Sequence, residues 1–393
     1  MDIRNDTRTI DEAFKTLIKS KILSMKQSLE ITDVEALIYE ESKEYLIGIE
    51  ACKLLAREIF DEMYRLGIIQ KYLDDDTINE IMINGLDNII IEKQGVMIRT
   101  DETFDNLENL NNIIQRMVSA VNRRVNASSP IVDCKLSDGS RINIVLPPIA
   151  VNGPVVTIRK FQEKAFTLDR YEKEGILTAD SNQLIQKLIR CKYNIFVSGG
   201  TSSGKTTFLN ALSDHIPAIE RIITIEDSAE LKLSNIINLV SLETRHSNLE
   251  GSLEISMAHL IRCALRMRPD RIIIGEIRGE EALDMIHAMN TGHDGSLSTG
   301  HANSSKDMLS RIELMVLSNM ELPIDVVRKL IGSSIDILIH LERNLNGKRY
   351  IKEIYELLDY DESYKLNCLY QLDKHKLLKQ NELINKKKMR LYG

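Results

Sequence analysis

The spacing of hydrophobic residues changes along this chain, and the changes predict five segments. Apolar residues recur at helical intervals at the beginning, then occur in short β-prone runs, and later form continuous apolar runs separated by helix-length stretches. A polar, charged stretch separates the second pattern from the third, and a basic cluster lies near the end. We therefore predict a helical region at 1–70, an α+β domain at 71–165, a linker at 166–180, an α/β domain at 181–360 and a tail at 361–393.

The β-prone runs of the second segment predict a small α+β domain. EIMING, NIIIEK and VMIRTD are separated by turn residues and predict an antiparallel meander. A helix is predicted in LENLNNIIQRMVSAVNRRV, and the strands IVDCKL and RINIVL flank an Asp138-Gly139 turn that favours a hairpin. VVTIRKF adds one more strand, and nothing in this segment has the spacing of a catalytic site.

A glycine-rich loop follows the first apolar run of the fourth segment. The run NIFVS is typical of a buried strand, ends at two glycines and precedes FLNALSDHI, which has helical spacing. This context, with the pattern G-x-x-x-x-G-K-T, predicts a phosphate-binding loop whose backbone N–H groups and helix N-terminus bind phosphate oxygens. Lys205 would neutralise the β- and γ-phosphates, and the Thr206 hydroxyl would ligate Mg²⁺. The nucleotide-binding residues predicted here are Gly199, Gly200, Thr201, Ser202, Ser203, Gly204, Lys205, Thr206 and Thr207.

Further apolar runs alternate with helix-length gaps after this loop. NIFVS, RIITIED, IINLVSLE, RIIIGEI and GSLSTGH predict a mostly parallel sheet, which together with the loop indicates a RecA-like core. DILIHLE and KRYIKEIYEL are predicted to pair across an Asn346-Gly347 turn. The predicted fold class is α/β: a RecA-like P-loop NTPase domain, preceded by a smaller α+β (PAS-like) domain and an N-terminal helical region.

Carboxylates end two of the predicted strands. RIITIED finishes with Glu226 and Asp227, and RIIIGE finishes with Glu276. The carboxyl ends of parallel strands meet at one edge, where the phosphate-binding loop also lies. We assign Glu276 to Mg²⁺, and Glu226 to general-base or water-positioning catalysis with Asp227 in support. The reverse assignment of the two glutamates stays open, because both depend on strand-end position. Lys205, Glu226 and Glu276 are the predicted catalytic residues.

Histidines and arginines supply further candidates. His293 and His301 flank a short strand in a glycine-rich segment, and we predict that they sense the γ-phosphate or link subunits. Their spacing and the lack of a nearby cysteine argue against zinc. A guanidinium stabilises the charge of phosphoryl transfer, so Arg245 is a candidate, with a surface or salt-bridge role as the alternative. Four arginines before the second acidic strand are candidates of the same kind: Arg262, Arg266, Arg268 and Arg271.

Charge and cysteine content restrict the class of protein. Lys+Arg 51 against Asp+Glu 58 gives a formal net charge of -7, which argues against a protein that coats nucleic acid. The five cysteines are scattered without a C-x-x-C pair, which indicates reduced thiols rather than a disulfide framework. No long apolar run is free of charge, so we expect a soluble cytoplasmic protein without a membrane span. Docking on a membrane-embedded partner stays open at this point, because composition does not reveal it.

The order of these motifs resembles one family. GGTSSGKTT, TIEDSAELKL, LETR and LRMRPDRIIIGEIRGEEALDMIHAMNTGHDGSLSTGHAN resemble the type II/IV secretion system and type IV pilus ATPase superfamily. Within it, the chain looks most like the CpaF branch of Tad/Flp pilus assembly. TIED, GEIRG and TGHDGS…HAN correspond to that family's Asp box, Walker B motif and His box. INEIMINGLDNIIIEKQG, SSPIVDCKLSDGSRINIVLPP and GPVVTIRKF extend the resemblance over about residues 70 to 360.

The resemblance implies a homo-hexameric ring that uses ATP and Mg²⁺. Nucleotide would lie between the α+β and RecA-like domains, with Arg141 and Arg159 of the former completing the site. Hydrolysis would turn the domains and drive an inner-membrane platform protein that adds or extracts pilin subunits, with no direct nucleic-acid contact. We therefore predict an ATPase that powers pilus assembly or protein secretion. The alternatives are a DNA-pumping RecA-like translocase, which the acidic charge disfavours, and a nucleotide-gated scaffold with little turnover.

Overall fold

The structure is a computed structural model, and it consists of two compact units, Met1–Gln162 and Glu163–Gly393. The first eleven residues of the predicted helical region, the last four of the predicted α+β domain and Asn346 of the predicted hairpin turn lie outside the described residues. Among the described helices, none combines the length and the apolar character that crossing a bilayer requires. The residues described are 12–25, 29–44, 47–93, 95–161, 166–245, 254–318, 320–344 and 347–393.

Helices form the beginning of the first unit, as the periodicity predicts. The described elements are α1 (Glu12–Ser24), α2 (Ile31–Glu41), α3 (Ile49–Tyr64) and the short α4 (Gln70–Asp74). The apolar stripes of the first three helices pack against one another, because each helix can bury only one face. Their shared core contains Phe14, Ile18, Val34, Ile38, Leu55 and Ile59.

An antiparallel sheet with one helix completes the first unit. Its elements are β1 (Ile78–Asn84), β2 (Ile89–Lys93), β3 (Val96–Arg99), α5 (Leu107–Ser119), β4 (Ile131–Lys135), β5 (Arg141–Val145) and β6 (Val155–Arg159). The strand order is β3-β2-β1-β6-β5-β4. The predicted meander and the predicted hairpin are both confirmed by their strand pairs. Alternate strand residues pack with the apolar face of α5, which is why apolar and polar residues alternate along the strands of this sheet.

The second unit is built on a nine-stranded sheet. The order β15-β14-β13-β12-β7-β11-β10-β8-β9 is parallel from β12 to β9 and antiparallel from β15 to β12. Its elements are α6 (Leu168–Lys173), α7 (Ala179–Arg190), β7 (Ile195–Gly199), α8 (Lys205–Ser213), β8 (Arg221–Glu226), β9 (Asn238–Glu243), α9 (Met257–Ala264), β10 (Arg271–Ile277), α10 (Glu281–Asn290), β11 (Leu297–Gly300), α11 (Ser305–Leu317), α12 (Ile324–Ser334), β12 (Ile337–Arg343), β13 (Arg349–Asp361), β14 (Ser363–Asp373), β15 (Lys376–Lys379) and α13 (Lys387–Tyr392).

Central strands of this sheet are buried on both faces. Ile195 and Val197 of β7 belong to one core, with residues of α7 and α8, while Phe196 between them belongs to a second core, with residues of α9 to α12. Successive strand residues point to opposite faces, so a strand covered by helices on both sides must be continuously apolar. This explains why the predicted strands appear in the sequence as unbroken apolar runs.

The predicted linker at 166–180 is wrong. This stretch contains α6 and the beginning of α7, and Leu168, Tyr171, Ile176 and Leu177 are buried in the core of the second unit. Charged residues between these positions hide their helical spacing, since only one face of so short a helix is apolar.

The predicted tail at 361–393 is also wrong in most of its length. Residues 363–373 and 376–379 extend the sheet as β14 and β15, and Leu369, Tyr370 and Leu377 are buried. These antiparallel strands have one exposed face, so their sequence alternates and lacks the strong apolar signal of the central strands.

Two of the four candidate arginines before β10 have structural partners. Arg262 binds Asp284 through Nη1 at 2.8 Å. Arg271 is fully buried at the start of β10, where its Nε and Nη2 donate to the two carboxylate oxygens of Glu220 at 2.6 and 3.1 Å. Its Nη1 donates to the carbonyl of Ile189 at 2.7 Å. Arg271 therefore stabilises the edge of the sheet opposite the phosphate-binding loop, which is the salt-bridge alternative to a nucleotide role.

Removing the carboxylate partner of Arg271 should destabilise the protein strongly. We expect Glu220→Ala to lower the free energy of unfolding by about 3–5 kcal/mol, because it leaves a buried guanidinium without a counter-charge. Lys192→Gln is the matched control, since its ammonium also approaches Glu220, at 3.8 Å, but is more exposed. Urea unfolding followed by circular dichroism measures both, and a Glu220→Ala loss no larger than that of the control would contradict the structural role.

Candidate active site

The loop between β7 and α8 has the backbone conformation of an anion-binding loop. Ser202 and Gly204 have positive φ angles of 57° and 92°. Alternation of this kind turns successive N–H groups toward one concave side, and the first N–H groups of α8 add to them. A Cβ on Gly199 would lie 2.5 Å from the Ser203 hydroxyl oxygen, so only glycine fits where the strand enters the loop. The loop can therefore surround a phosphate group.

Lys205 and two side chains from neighbouring strands meet beside this loop. The ammonium of Lys205 donates to the carbonyl oxygens of Gly199 and Gly200 at 3.2 and 3.0 Å. It also lies 3.3 Å from Nδ1 of His301, the residue that follows β11. Nε2 of the same imidazole lies 3.5 Å from the Lys205 ammonium and 2.8 Å from Oε1 of Glu276 in β10. The three side chains form a continuous line from the loop lysine to a strand-end carboxylate.

His301 is uncharged at neutral pH in this arrangement. Burial lowers the pKa of His301 below its ordinary value, and the positive charge of Lys205 lowers it further, while Glu276 acts in the opposite direction. A neutral imidazole can accept a hydrogen bond from the Lys205 ammonium, which lies 3.3 Å from Nδ1 and 3.5 Å from Nε2. His301 can thus respond to a change of charge on either neighbour.

Glu276 reaches this position through an extra residue in β10. Ile274 pairs with Ser298 of β11, and Ile277 pairs with Gly300, so three steps along β10 match two steps along β11. A bulge of this kind changes the direction of the side chain at the irregularity. Here that side chain is Glu276, which the shift turns toward His301.

Glu226 is held by the backbone that follows its own strand. It is 4% exposed, and its Oε1 accepts hydrogen bonds from the N–H groups of Glu230 and Leu231 at 3.0 and 3.2 Å. β8 lies three strands from β7, about 14 Å at the usual strand spacing, whereas β10 lies two strands away. Glu276 is therefore the glutamate that contacts the lysine–histidine pair, and the assignment of roles between the two acids stays a prediction.

Arg278 connects Glu276 at the end of β10 with Asp227 directly after β8, although the sequence analysis did not select it. Its Nη2 donates to Oε2 of Glu276 at 2.7 Å, and its Nη1 lies 3.5 Å from Oδ2 of Asp227. The hydrogen bond to Glu276 raises the pKa of Arg278. The signal in the sequence was the spacing of two residues from Glu276, since alternate residues of an extended segment share one side.

Thr206 and Glu276 fit the predicted Mg²⁺ site. The described part of the chain has no group of three or more His, Cys, Asp or Glu side chains that could hold a metal. Mg²⁺ does not require one, because it commonly binds one or two carboxylates together with water and substrate phosphates. Oε1 of Glu276 is buried and lies 2.8 Å from Nε2 of His301, but it accepts no well-aligned hydrogen bond from any residue that the structure describes. Thr206 is half-buried in the first turn of α8, directly after the loop.

His293 lies at the opposite edge of the sheet, so the prediction that it senses the γ-phosphate is wrong. It precedes β11 whereas His301 follows it, and this four-residue strand spans about 13 Å. All four strand residues are buried, although the glycines and small side chains around them resemble a loop in sequence. A role of His293 between subunits stays a prediction.

The remaining predicted arginines are Arg141 and Arg159 of the first unit and Arg245 of the second. Arg141 and Arg159 occupy paired positions in β5 and β6 of the first unit, and Nε of Arg159 lies 3.9 Å from Glu80. Arg245 follows β9, the edge strand four positions from β7, and is exposed. The structure does not bring Arg245 to the loop of its own chain. The nucleotide role of these three arginines stays a prediction.

A cavity of about 540 Å³ opens beside the loop. The residues that line it include Gly200 and Thr201 of the loop, His301, and Arg311 of α11. Cavities of this size are typical of sites for small ligands. Arg311 is a second residue that the sequence analysis did not select, because only the fold brings α11 next to the loop.

A parallel sheet with a phosphate-binding loop and strand-end carboxylates at the same edge defines a P-loop NTPase. The chain belongs to the type II/IV secretion system protein family, whose sequence profile matches residues 62–368. The predicted fold class and the predicted superfamily are thereby confirmed.

Relatives and a solved structure agree with this classification. The uncharacterized protein MJ0781 of Methanocaldococcus jannaschii is 35% identical over 306 residues, which are 74% of this chain but only 42% of that protein. The type IV secretion system protein VirB11 of Brucella suis is 30% identical over 321 residues, 74% of this chain and 89% of VirB11. The crystal structure of the pilus retraction motor PilT with bound ADP aligns with a TM-score of 0.54 at 21% identity, over 82% of this chain and 86% of PilT. This last likeness supports the fold alone.

Proposed function

We propose that this protein is an ATP-hydrolysing hexameric motor that powers pilus assembly of the Tad/Flp type or protein secretion at the inner membrane. Membership of the type II/IV secretion system family supports a role in such a system. The resemblance of the GGTSSGKTT, TIED, GEIRG and TGHDGS…HAN motifs to the CpaF branch supports the Tad/Flp type. The ring would lie in the cytoplasm and contact the membrane through a platform protein.

The line of contacts from Lys205 through His301 to Glu276 is the observation that supports hydrolysis most strongly. A protein that only bound nucleotide would need the loop and the lysine. This chain also holds a carboxylate 2.8 Å from the imidazole that contacts the lysine. Such an arrangement can respond to the terminal phosphate of a nucleotide. A phosphate bound by Lys205 brings negative charge to the lysine and thereby changes the electrostatic environment of His301 and Glu276.

In the proposed mechanism, the chain's own groups bind and orient the triphosphate. Backbone N–H groups of the loop bind the phosphates, and the ammonium of Lys205 exchanges its carbonyl contacts for phosphate oxygens. Thr206 and Glu276 would hold Mg²⁺, which supplies neutralisation of the charge that develops on the β- and γ-phosphates. Arg278 orients Glu276, since it donates to Oε2 while Oε1 faces His301. Arg141, Arg159 and Arg245 are proposed to complete the site from another domain or subunit.

Assembly and turnover together test this function. We expect purified full-length protein to have the mass of a hexamer when a non-hydrolysable ATP analogue is present, and to release phosphate from ATP with Mg²⁺. Mass photometry with and without the analogue measures the first property, and a phosphate-release assay measures the second. A monomer under both conditions would remove the ring mechanism, and absence of phosphate release from assembled rings would leave a scaffold instead of a motor.

A further inference from the structure

Arg349 covers the phosphate-binding loop from the side that faces away from Lys205. It is the first residue of β13, and its Nε donates to the carbonyl oxygen of Ser202 at 3.3 Å. Its Cδ lies 3.2 Å from the position that a Cβ on Gly204 would occupy. The side chain therefore packs against the two loop residues with positive φ angles.

Within the described part of the chain, the two terminal nitrogens of this guanidinium, Nη1 and Nη2, have no partner. Arg349 is half-buried, and among the residues that the structure describes neither Nη1 nor Nη2 makes a hydrogen bond or an ion pair. Arg271 and Arg278 differ in this respect, because each binds a carboxylate. Two nitrogens with free N–H groups, held beside a concave row of backbone N–H groups, form a site for an anion.

Sheet order indicates which part of a nucleotide this anion would be. β7 lies between β11 and β12, and Lys205, His301 and Glu276 all lie on the β11 side of the loop. Arg349 lies on the other side, since β13 pairs with β12 and Arg349 is opposite Arg343 at its carboxyl end. The lysine side receives the β- and γ-phosphates. The Arg349 side is therefore left for the α-phosphate.

We propose that Arg349 is a nucleotide-binding residue whose Nη groups contact the α-phosphate of ATP and ADP while its Nε holds the Ser202 carbonyl. This inference rests on the proposed function, because it requires a nucleoside phosphate in the loop. Contact with the α-phosphate is the same before and after hydrolysis, so it contributes equally to the binding of ATP and ADP. Such uniform binding lowers KM and leaves kcat unchanged.

Two substitutions separate phosphate contact from support of the loop. Arg349→Gln places an N–H group where Nε stands but has no Nη groups, whereas Arg349→Ala removes both. We expect both variants to bind ATP and ADP about tenfold more weakly, as for loss of a charge-assisted hydrogen bond. Their KM should rise with kcat unchanged. Lys348→Ala, the exposed neighbour in the same hairpin, is the matched control and should bind as the wild-type protein does.

Isothermal titration calorimetry measures the affinity of each variant for ATP and ADP, and steady-state kinetics measures KM and kcat. Thermal unfolding checks that each variant is folded. Wild-type affinity in Arg349→Gln would overturn the phosphate contact and leave a role in holding the loop. Weaker binding of ATP alone would overturn the assignment to the α-phosphate. Wild-type affinity in both variants, with ATP still bound by the unmodified protein, would sink this inference without affecting the proposed function. Failure of the unmodified protein to bind ATP would instead sink the proposed function.

Discussion

Lys205→Ala should abolish ATP hydrolysis. Lys205 is 8% exposed, and its ammonium contacts the loop carbonyls and lies beside His301. No other described cation occupies this position between the loop and the imidazole. Removing one positive group from a preorganised site for developing charge costs about 100- to 1000-fold in turnover. A phosphate-release assay at saturating ATP measures the effect.

Lys187→Ala is the matched control for this variant. Lys187 lies exposed on α7 and should leave turnover unchanged. Thermal unfolding of both variants separates loss of chemistry from loss of fold, because Lys205 also holds the carbonyls of Gly199 and Gly200. Unchanged turnover in a folded Lys205→Ala protein would refute the assignment of the site.

Glu276→Gln should stop hydrolysis while ATP binding is retained. The amide has nearly the same shape, so Arg278 and His301 keep a neighbour, but the negative charge that would serve Mg²⁺ or the attacking water is lost. We expect turnover to fall about 100- to 1000-fold and the dissociation constant of ATP to change much less. Glu280→Gln, an exposed acid four residues later, is the control.

Glu226→Gln distinguishes the two possible assignments of the glutamates. If Glu226 mainly holds the loop after β8, Glu226→Gln should lower the free energy of unfolding by about 1 kcal/mol. The carboxylate of Glu226 accepts hydrogen bonds from two backbone N–H groups, and the neutral amide of glutamine has only one oxygen to accept them. Lost turnover with unchanged stability would make Glu226 the general base instead. Equal, near-zero rates for the wild-type protein and both variants would favour a nucleotide-gated scaffold.

The sequence predicted the parts of the site that depend on local backbone. The P-loop could be recognised because its glycines, its lysine and the flanking strand and helix are consecutive, and few backbone conformations suit them. Strand-end position also located Glu276, because parallel strands present their carboxyl ends together. In both cases a few adjacent residues carried the information.

Positions that depend on packing could not be predicted in the same way. Arg349 is more than a hundred residues from the loop that it contacts, and only the antiparallel pairing of β12 with β13 brings it there. His293 and His301 were grouped because both lie close to β11 in sequence, but His293 precedes this short strand and His301 follows it, so only His301 lies at the edge that carries the loop. The prediction of a linker at 166–180 failed because charged residues separate Leu168 from Tyr171 and hid the buried face of a helix.

Because of the register shift in β10, the number of residues in this strand is as important for the site as their chemistry. Thr299 ties the irregularity in place by donating to the carbonyl of Gly275 at 2.7 Å. A Cβ on Gly275 would lie 2.9 Å from Cγ of Glu226, so the same residue also determines how closely the two acidic strands approach. Deleting one residue there would spare every isoleucine of the strand yet swing the glutamate to the other face. A chain that kept the phosphate-binding loop, Glu276 and every isoleucine of β10 would still lose the contact between Glu276 and His301 if it lacked Gly275.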